Sequence, residues 1–177
     1  LISTIAEGAI GALKFQKYLN TIIIDNVDAP ELKVTDKLPI ILKLRSESIG
    51  DKVKLGSGEV SLSPIFKKLK GLVFGQTKTL LGDFTIELEV PTLALENHVI
   101  QATIDTLKKA GDSEIGKNIG SIYTYEIVKY IKTIKFSDQE LVFSDISVND
   151  RVKIVENLPI TINREIIGFI QDIKNQE

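Results

Sequence analysis

The chain of 177 residues contains no cysteine, methionine or tryptophan, and it contains a single histidine. Without cysteine it can form no disulfide, no thiolate metal site and no cysteine nucleophile. The histidine, His98, lacks the second histidine of an HExxH pair, and no G-x-S-x-G segment could present a catalytic serine. We therefore interpret His98 as a surface or boundary residue, and we expect a non-enzymatic protein without cofactor or metal.

Long apolar runs and blocks of like charge are also missing. The 22 basic and 24 acidic residues are interspersed and give a net charge of −2. The densest basic run, residues 67–70, holds only three lysines, too few to neutralise a run of phosphates, so we expect no nucleic-acid partner. No apolar run approaches the roughly 20 residues that cross a bilayer, and no signal-peptide pattern opens the chain. Because helical spacing is already present at Leu1, we expect a further segment before it.

The composition that remains is that of a folded protein. Hydrophobic residues make up 43% of the chain and charged residues 26%, which are ordinary values for a globular domain. A length of 177 residues fits one domain of ordinary size. We predict a single domain over residues 1–177, in which residues from about 92 to 177 could form a helical lobe.

Apolar residues three and four positions apart predict helices over much of the chain. In the second helix Thr35 is the predicted N-cap, Gly50 is the C-terminal stop, and the buried stripe comprises Leu38, Ile41, Leu42 and Ile49. The other predicted helices cover residues 2–22, 92–109, 121–134, 148–157 and 163–174.

Strict alternation of apolar and polar residues predicts strands. From Phe84 to Val90 the apolar residues Phe84, Ile86, Leu88 and Val90 share one face, which we expect to be buried. Two alternating segments, 52–55 and 59–62, flank a three-residue turn of Gly56, Ser57 and Gly58 and predict a hairpin. A short strand is expected at 140–143. The prediction is an α+β fold with a small antiparallel sheet at roughly 52–90, flanked by helices, and a helical C-terminal part.

Two further segments were candidates for chemistry. Asp25, Asp28 and Glu31 form an acidic loop cluster that could bind Ca²⁺, but the EF-hand spacing is absent and solvated carboxylates are the better interpretation. The segment 75–79 lacks the glycine spacing of a Walker A loop. An enzyme with a non-standard acidic site is thus the least favoured hypothesis.

The apolar residues of the last helix suggest where a partner could bind. Ile166 and Ile170 are expected to pack on the chain's own domain, leaving other apolar side chains of this helix for a partner. Two tyrosines seven residues apart on a predicted helix face could pack in the core or on a partner. The candidate partner contacts are Phe169, Ile173, Tyr123 and Tyr130.

One stretch of sequence is more specific than amphipathic spacing. The residues from Leu38 to Leu55 contain the block Arg45-Ser-Glu-Ser-Ile-Gly-Asp51, followed by a charged alternating segment. This stretch resembles the most recognisable segment of the baseplate hub subunits of T4-like contractile-tailed bacteriophages. Weaker similarities lie, in the same order as in that family, at residues 21–24, 84–93 and 155–159. The family's β-rich opening, with its Arg-Pro stretch, is absent here, as are the cysteine and tryptophan residues often found in it.

The resemblance implies a structural or assembly component of a phage tail baseplate or hub that acts by packing against other tail or baseplate proteins. Such a protein has no catalytic role. It would be assembled in the host cytoplasm and retained in the virion tail. A tail-assembly chaperone or adaptor that is absent from the virion is the alternative.

Overall fold

The computed structural model describes residues 2–27, 31–56, 58–69, 77–80, 84–109 and 115–175. These residues form seven α-helices and six β-strands, with short 3-10 helices at Val34–Asp36 and Phe143–Asp145. The helices are α1 (Ile2–Asn26), α2 (Lys37–Ile49), α3 (Ser63–Leu69), α4 (Leu93–Lys109), α5 (Ile115–Val128), α6 (Val148–Glu156) and α7 (Ile160–Lys174). The strands are β1 (Lys52–Leu55), β2 (Gly58–Ser61), β3 (Thr77–Leu80), β4 (Thr85–Glu89), β5 (Ile131–Phe136) and β6 (Gln139–Val142).

The strands form two antiparallel sheets. β1 and β2 make the predicted hairpin, and β3, β4, β5 and β6 form a four-stranded antiparallel sheet in that order, with α4 and α5 inserted between β4 and β5. The central residue of the hairpin turn, Ser57, lies outside the described residues. The α+β class with a helical C-terminal part is confirmed, but the main sheet extends beyond the predicted range because β5 and β6 follow α5.

The predicted alternation along β4 is confirmed. Ile86, Leu88 and Val90 are at most 1% exposed, whereas Thr85, Glu87 and Glu89 are half-buried on the other face. Phe84, at the end of the row, is only half-buried and its ring lies 5.4 Å from that of Phe136. One face of the sheet therefore packs on the helices α4, α5, α6 and α7, which contribute most of the remaining core.

The predicted helix over 121–134 is wrong in its last turn. α5 ends at Val128, and Ile131 and Ile134 lie in β5, where they oppose Leu88 and Ile86 of β4. A β-bulge at Lys132 leaves that residue unpaired between them. Because the bulge adds one residue, the core residues Ile131 and Ile134 of β5 are three positions apart instead of two. This spacing is typical of a helix, which explains the wrong prediction.

Of three other helices, only α6 begins with a side-chain cap. The hydroxyl of Ser147 accepts a hydrogen bond from the Asp150 amide at 3.2 Å, so α6 begins where the sequence predicts. α7 begins at Ile160, directly after Pro159 and three residues earlier than predicted. The predicted N-cap of α2, Thr35, lies inside the 3-10 helix instead, where its buried hydroxyl makes no hydrogen bond.

Candidate functional site

Residues Lys37–Leu69 form an arm made of α2, the β1–β2 hairpin and α3. No residue of α2 is buried, so the predicted buried stripe of Leu38, Ile41, Leu42 and Ile49 is wrong. Among its described side chains, the arm exposes five large aliphatic ones: Leu38 (37% exposed), Leu44 (50%), Ile49 (74%), Leu55 (63%) and Val60 (39%). A two-stranded hairpin has little stability of its own, so such exposed apolar surface is typical of a segment that packs on another protein.

The Arg45–Asp51 block forms the corner between α2 and the hairpin. The Arg45 guanidinium donates to the carbonyl oxygens of Gly50 and Lys52, at 2.8 and 3.2 Å. The Gly50 amide donates to the Ser46 carbonyl oxygen at 3.1 Å and closes the helix. Gly50 has φ 112° and ψ 165°. Gly50 is therefore the C-terminal stop of α2, as predicted, with a positive φ, although its ψ is extended and lies outside the left-handed helical region.

Asp51 fixes the other side of the corner. Its carboxylate accepts hydrogen bonds from the hydroxyls of Ser61 and, at 2.9 Å, Ser63. The bond from Ser61 is the main reason that the pKa of Asp51 lies below its ordinary value. The Leu62 amide donates to the Asp51 carbonyl oxygen at 2.8 Å, and the Leu62 side chain is buried. The block thus sets the direction of the hairpin relative to α2 while Ile49 and Leu55 point into solvent.

A cleft of about 330 Å³ lies at the base of the arm. Lys37, Leu38 and Ile41 of the arm form one wall. The other wall comprises Gln16, Val34, Glu96, Glu126, Tyr130 and Lys174. The cleft between the arm and the rest of the chain is therefore lined by both apolar and charged side chains.

Alternating charges run along this cleft. Glu96 pairs with Lys37 at 2.7 Å and with Lys129 at 3.4 Å, and Glu126 pairs with Lys129 at 2.7 Å and with Lys174 at 3.2 Å. Glu96, only 4% exposed, also accepts hydrogen bonds from the side-chain amides of Gln16 and Asn20, at 2.8 and 2.7 Å. The chain of ion pairs links α2, α4, α5 and α7, and the two amide hydrogen bonds join α1 to it.

Both carboxylates of the cleft are held in their ionised form. Burial alone would raise the pKa of Glu96, but the charges of Lys129 and Lys37, with the hydrogen bonds from Lys37 and Asn20, lower it below its ordinary value. The pKa of Glu126 is lowered in the same way, since Lys129 and Lys174 outweigh burial. A general acid needs a pKa near the working pH, so this geometry suits an anchor for the arm better than proton transfer.

Three of the four candidate partner contacts lie in the chain's own core. Phe169, Ile173 and Tyr130 are each 3% exposed, and the rings of Tyr130 and Phe169 meet edge to face at 6.3 Å. Their assignment to a partner surface is therefore wrong, because all three side chains are buried within the chain itself. Tyr123 is 71% exposed and stays available for a partner. Sequence spacing gave no indication that the exposed apolar surface lies on the arm instead.

The other candidates for chemistry lie apart from the cleft. His98 is exposed on α4, Asp25 is exposed near the end of α1, and Glu31 is also exposed. Asp28 lies outside the described residues, as do residues 75–76 of the segment 75–79 that was compared with a Walker A loop. In the part of the chain that the structure describes, no group of three or more histidine, aspartate or glutamate side chains could hold a metal ion.

Comparison of the chain with protein-family models, curated proteins and solved structures finds no match. The similarity to baseplate hub subunits therefore rests on the residues quoted for it, chiefly Arg45–Asp51. Among the described residues, no helix is both long enough and apolar enough to cross a membrane.

Proposed function

We propose that this chain is a structural or assembly component of a contractile phage tail, in the baseplate or hub, and that its arm docks it on another tail protein. The exposure of Leu44, Ile49, Leu55 and Val60 carries the proposal. The sequence that shapes the arm is also the sequence that resembles hub subunits. The docking function and the tail assignment therefore depend on the same residues.

The arm is suited to docking because its shape is fixed before a partner binds. Arg45 and Asp51 hold the corner through hydrogen bonds within the arm, and Lys37 holds its base through Glu96. A preformed surface loses less conformational freedom on binding than a disordered segment does. The aliphatic side chains offer apolar area to a partner, and the lysines of β1 keep the open hairpin edge from pairing indiscriminately.

The test is incorporation of a tagged chain into tail particles during phage infection. Ile49→Asp combined with Leu55→Asp places two charges in the proposed interface. We expect the wild-type chain to sediment with tails or baseplates and the double variant to remain in the free pool. Ile160→Asp is the matched control, because Ile160 is 66% exposed but lies on α7, outside the arm. Normal incorporation of the double variant would contradict docking through the arm.

The same fractions distinguish the alternative. A tail-assembly chaperone or adaptor would be present in assembly intermediates and absent from finished particles, whereas a structural component would be present in both. Absence of the wild-type chain from both fractions would contradict the tail assignment altogether.

A further inference from the structure

A second uncovered surface begins at the junction of α1 with α4 and continues onto the exposed side of α1. α1 packs on α4, where the Asn20 side chain donates to Glu96, and a groove of about 280 Å³ runs along the junction. The groove is lined by Lys14, Lys17, Tyr18 and Thr21 of α1 and by Gln101, Ile104 and Lys108 of α4.

The charged side chains of this groove are all of one sign. Lys14, Lys17 and Lys108 line it without any carboxylate, and none of the three is in an ion pair within the described residues. Lys17 donates instead to the side-chain oxygen of Gln101, at 2.7 Å. The lining of the groove therefore carries three positive charges, and Asp105, which accepts a hydrogen bond from the Gln101 side chain at 2.8 Å, is a carboxylate beside it.

An apolar stripe borders the groove. Phe15 and Tyr18 are each 62% exposed and Ile22 is 38% exposed, at spacings of three and four residues. Gly8 and Gly11 continue the same spacing, and a Cβ at either glycine would meet no heavy atom within 4 Å. The stripe therefore follows a heptad pattern for about 21 Å, given a rise of 1.5 Å per residue.

We propose that this surface binds an acidic amphipathic helix of a partner protein, and that it does so independently of the arm. The three-four spacing is the pattern that a facing helix fills with its own apolar residues. The lysines on one flank require carboxylates at the corresponding flank of that helix. Charge complementarity of this kind sets the partner's identity and orientation as well as its rate of association.

Nucleic acid is the other class of macromolecule that lysines attract, and the surface suits it less. Three lysines could neutralise about three phosphates, which supports weak binding at most. The apolar stripe with its two glycines would then be left in contact with water or sugar. A protein helix would cover both the stripe and the lysines.

The experiment uses a labelled helical peptide of a few heptads, with leucine at positions a and d and glutamate at e and g. Its glutamates repel one another, so the peptide stays monomeric until it meets a basic surface. Anisotropy titrations compare it with the same peptide carrying lysine at e and g, and with an oligo-dT probe. The full chain is tested as wild type, as Lys14→Glu/Lys17→Glu/Lys108→Glu, and as Tyr18→Ser.

The matched control is Lys78→Glu/Lys132→Glu/Arg164→Glu, which changes the net charge equally at exposed basic residues outside both the groove and the arm. We expect the glutamate peptide to bind wild type and the control equally, and to lose about tenfold or more in affinity for the groove variant and for Tyr18→Ser. The proposal is overturned if the control loses as much as the groove variant, if the lysine peptide binds as well, or if the glutamate peptide fails to bind. Tighter binding of oligo-dT through the same lysines would identify a nucleic-acid site instead.

Discussion

The helices α2 and α7 are alike in sequence pattern and opposite in burial. They contain 13 and 15 residues, and both carry aliphatic residues at spacings of three and four. α7 buries Ile166, Phe169, Ile170 and Ile173 against the sheet and its neighbours, whereas α2 buries none of its residues. α7 completes the core, while α2 projects from it and leads into a hairpin.

The difference shows what amphipathic spacing can predict and what it cannot. Spacing identifies the apolar face of a helix, but whether that face is covered depends on elements far away in the chain. The sequence therefore predicted a buried stripe for α2 that is not buried. For α7 it predicted the burial of Ile166 and Ile170 correctly but left Phe169 and Ile173, which are also buried, for a partner. Only the topology, which places α7 against β3 and α2 at the periphery, separates them.

Local rules predicted the parts of the fold that local interactions determine. β4 alternates without interruption, so its buried face was correct from Ile86 to Val90, and α6 begins at Val148 as expected, where Ser147 caps it. The bulge at Lys132 broke the alternation of β5 and produced a helical spacing. That error has a physical cause, because a bulge is stabilised by pairing with a neighbouring strand and leaves no mark in a single segment.

The candidate site was predictable in part for the same reason. The Arg45–Asp51 block stood out in the sequence, and its hydrogen bonds join residues no more than twelve positions apart. The anchor at Glu96 was not predictable, since Asn20 and Lys37 reach it across 76 and 59 residues. Such long-range partners follow from the tertiary fold alone.

The largest expected difference in stability is between a substitution in α7 and one in α2. Phe169→Ala in α7 removes a buried ring and should destabilise the fold by about 3–5 kcal/mol, as large-to-small core substitutions do. Ile49→Ala in α2 should change stability by about 0.5 kcal/mol or less, because the side chain already lies in water. Urea denaturation of both variants checks this. Equal losses would show that α2 is as tightly packed as α7.

The ion pairs of Glu96, which anchor α2 to α4, should be the next most sensitive point for stability. Glu96→Ala leaves the buried Lys129 short of one of its partners, and we expect a loss of about 3 kcal/mol, the lower end of the range for breaking a buried pair. Lys43→Ala, which breaks an exposed pair with Glu47, is the matched control and should cost about 0.5 kcal/mol or less. Denaturant midpoints measure both.

Acidic pH should weaken the ion pairs that Glu96 and Glu126 make in the cleft. Since the pKa values of Glu96 and Glu126 in the folded chain lie below the ordinary value of 4.5, their ionised forms stabilise the fold fully above that pH. This contribution is lost as the pH falls through the lowered pKa values. Glu96→Gln should therefore be less stable than wild type at neutral pH and lose less stability on acidification. Parallel pH profiles for the two proteins would contradict this role of Glu96.

A smaller effect is expected at the corner of the arm. Gly50→Val forces a β-branched residue to adopt φ 112°, which should cost about 1 kcal/mol or more. Open space surrounds the position where a Cβ would lie, so the cost comes from the backbone and not from a clash. Gly8→Ala, at an exposed helical glycine without positive φ, should instead be neutral or stabilising by up to about 1 kcal/mol. Thermal unfolding of the pair makes the comparison.

The smallest effect on stability belongs to the substitution with the largest expected effect on docking. Ile49→Asp with Leu55→Asp replaces two side chains that are 74% and 63% exposed, so unfolding in urea should change by no more than about 0.5 kcal/mol. Removing exposed apolar surface should also leave the denaturant slope unchanged, since the core is untouched. A large loss of stability would mean that Ile49 and Leu55 are covered by the chain itself in solution. The arm would then resemble α7, and its apolar residues would serve folding and not a partner.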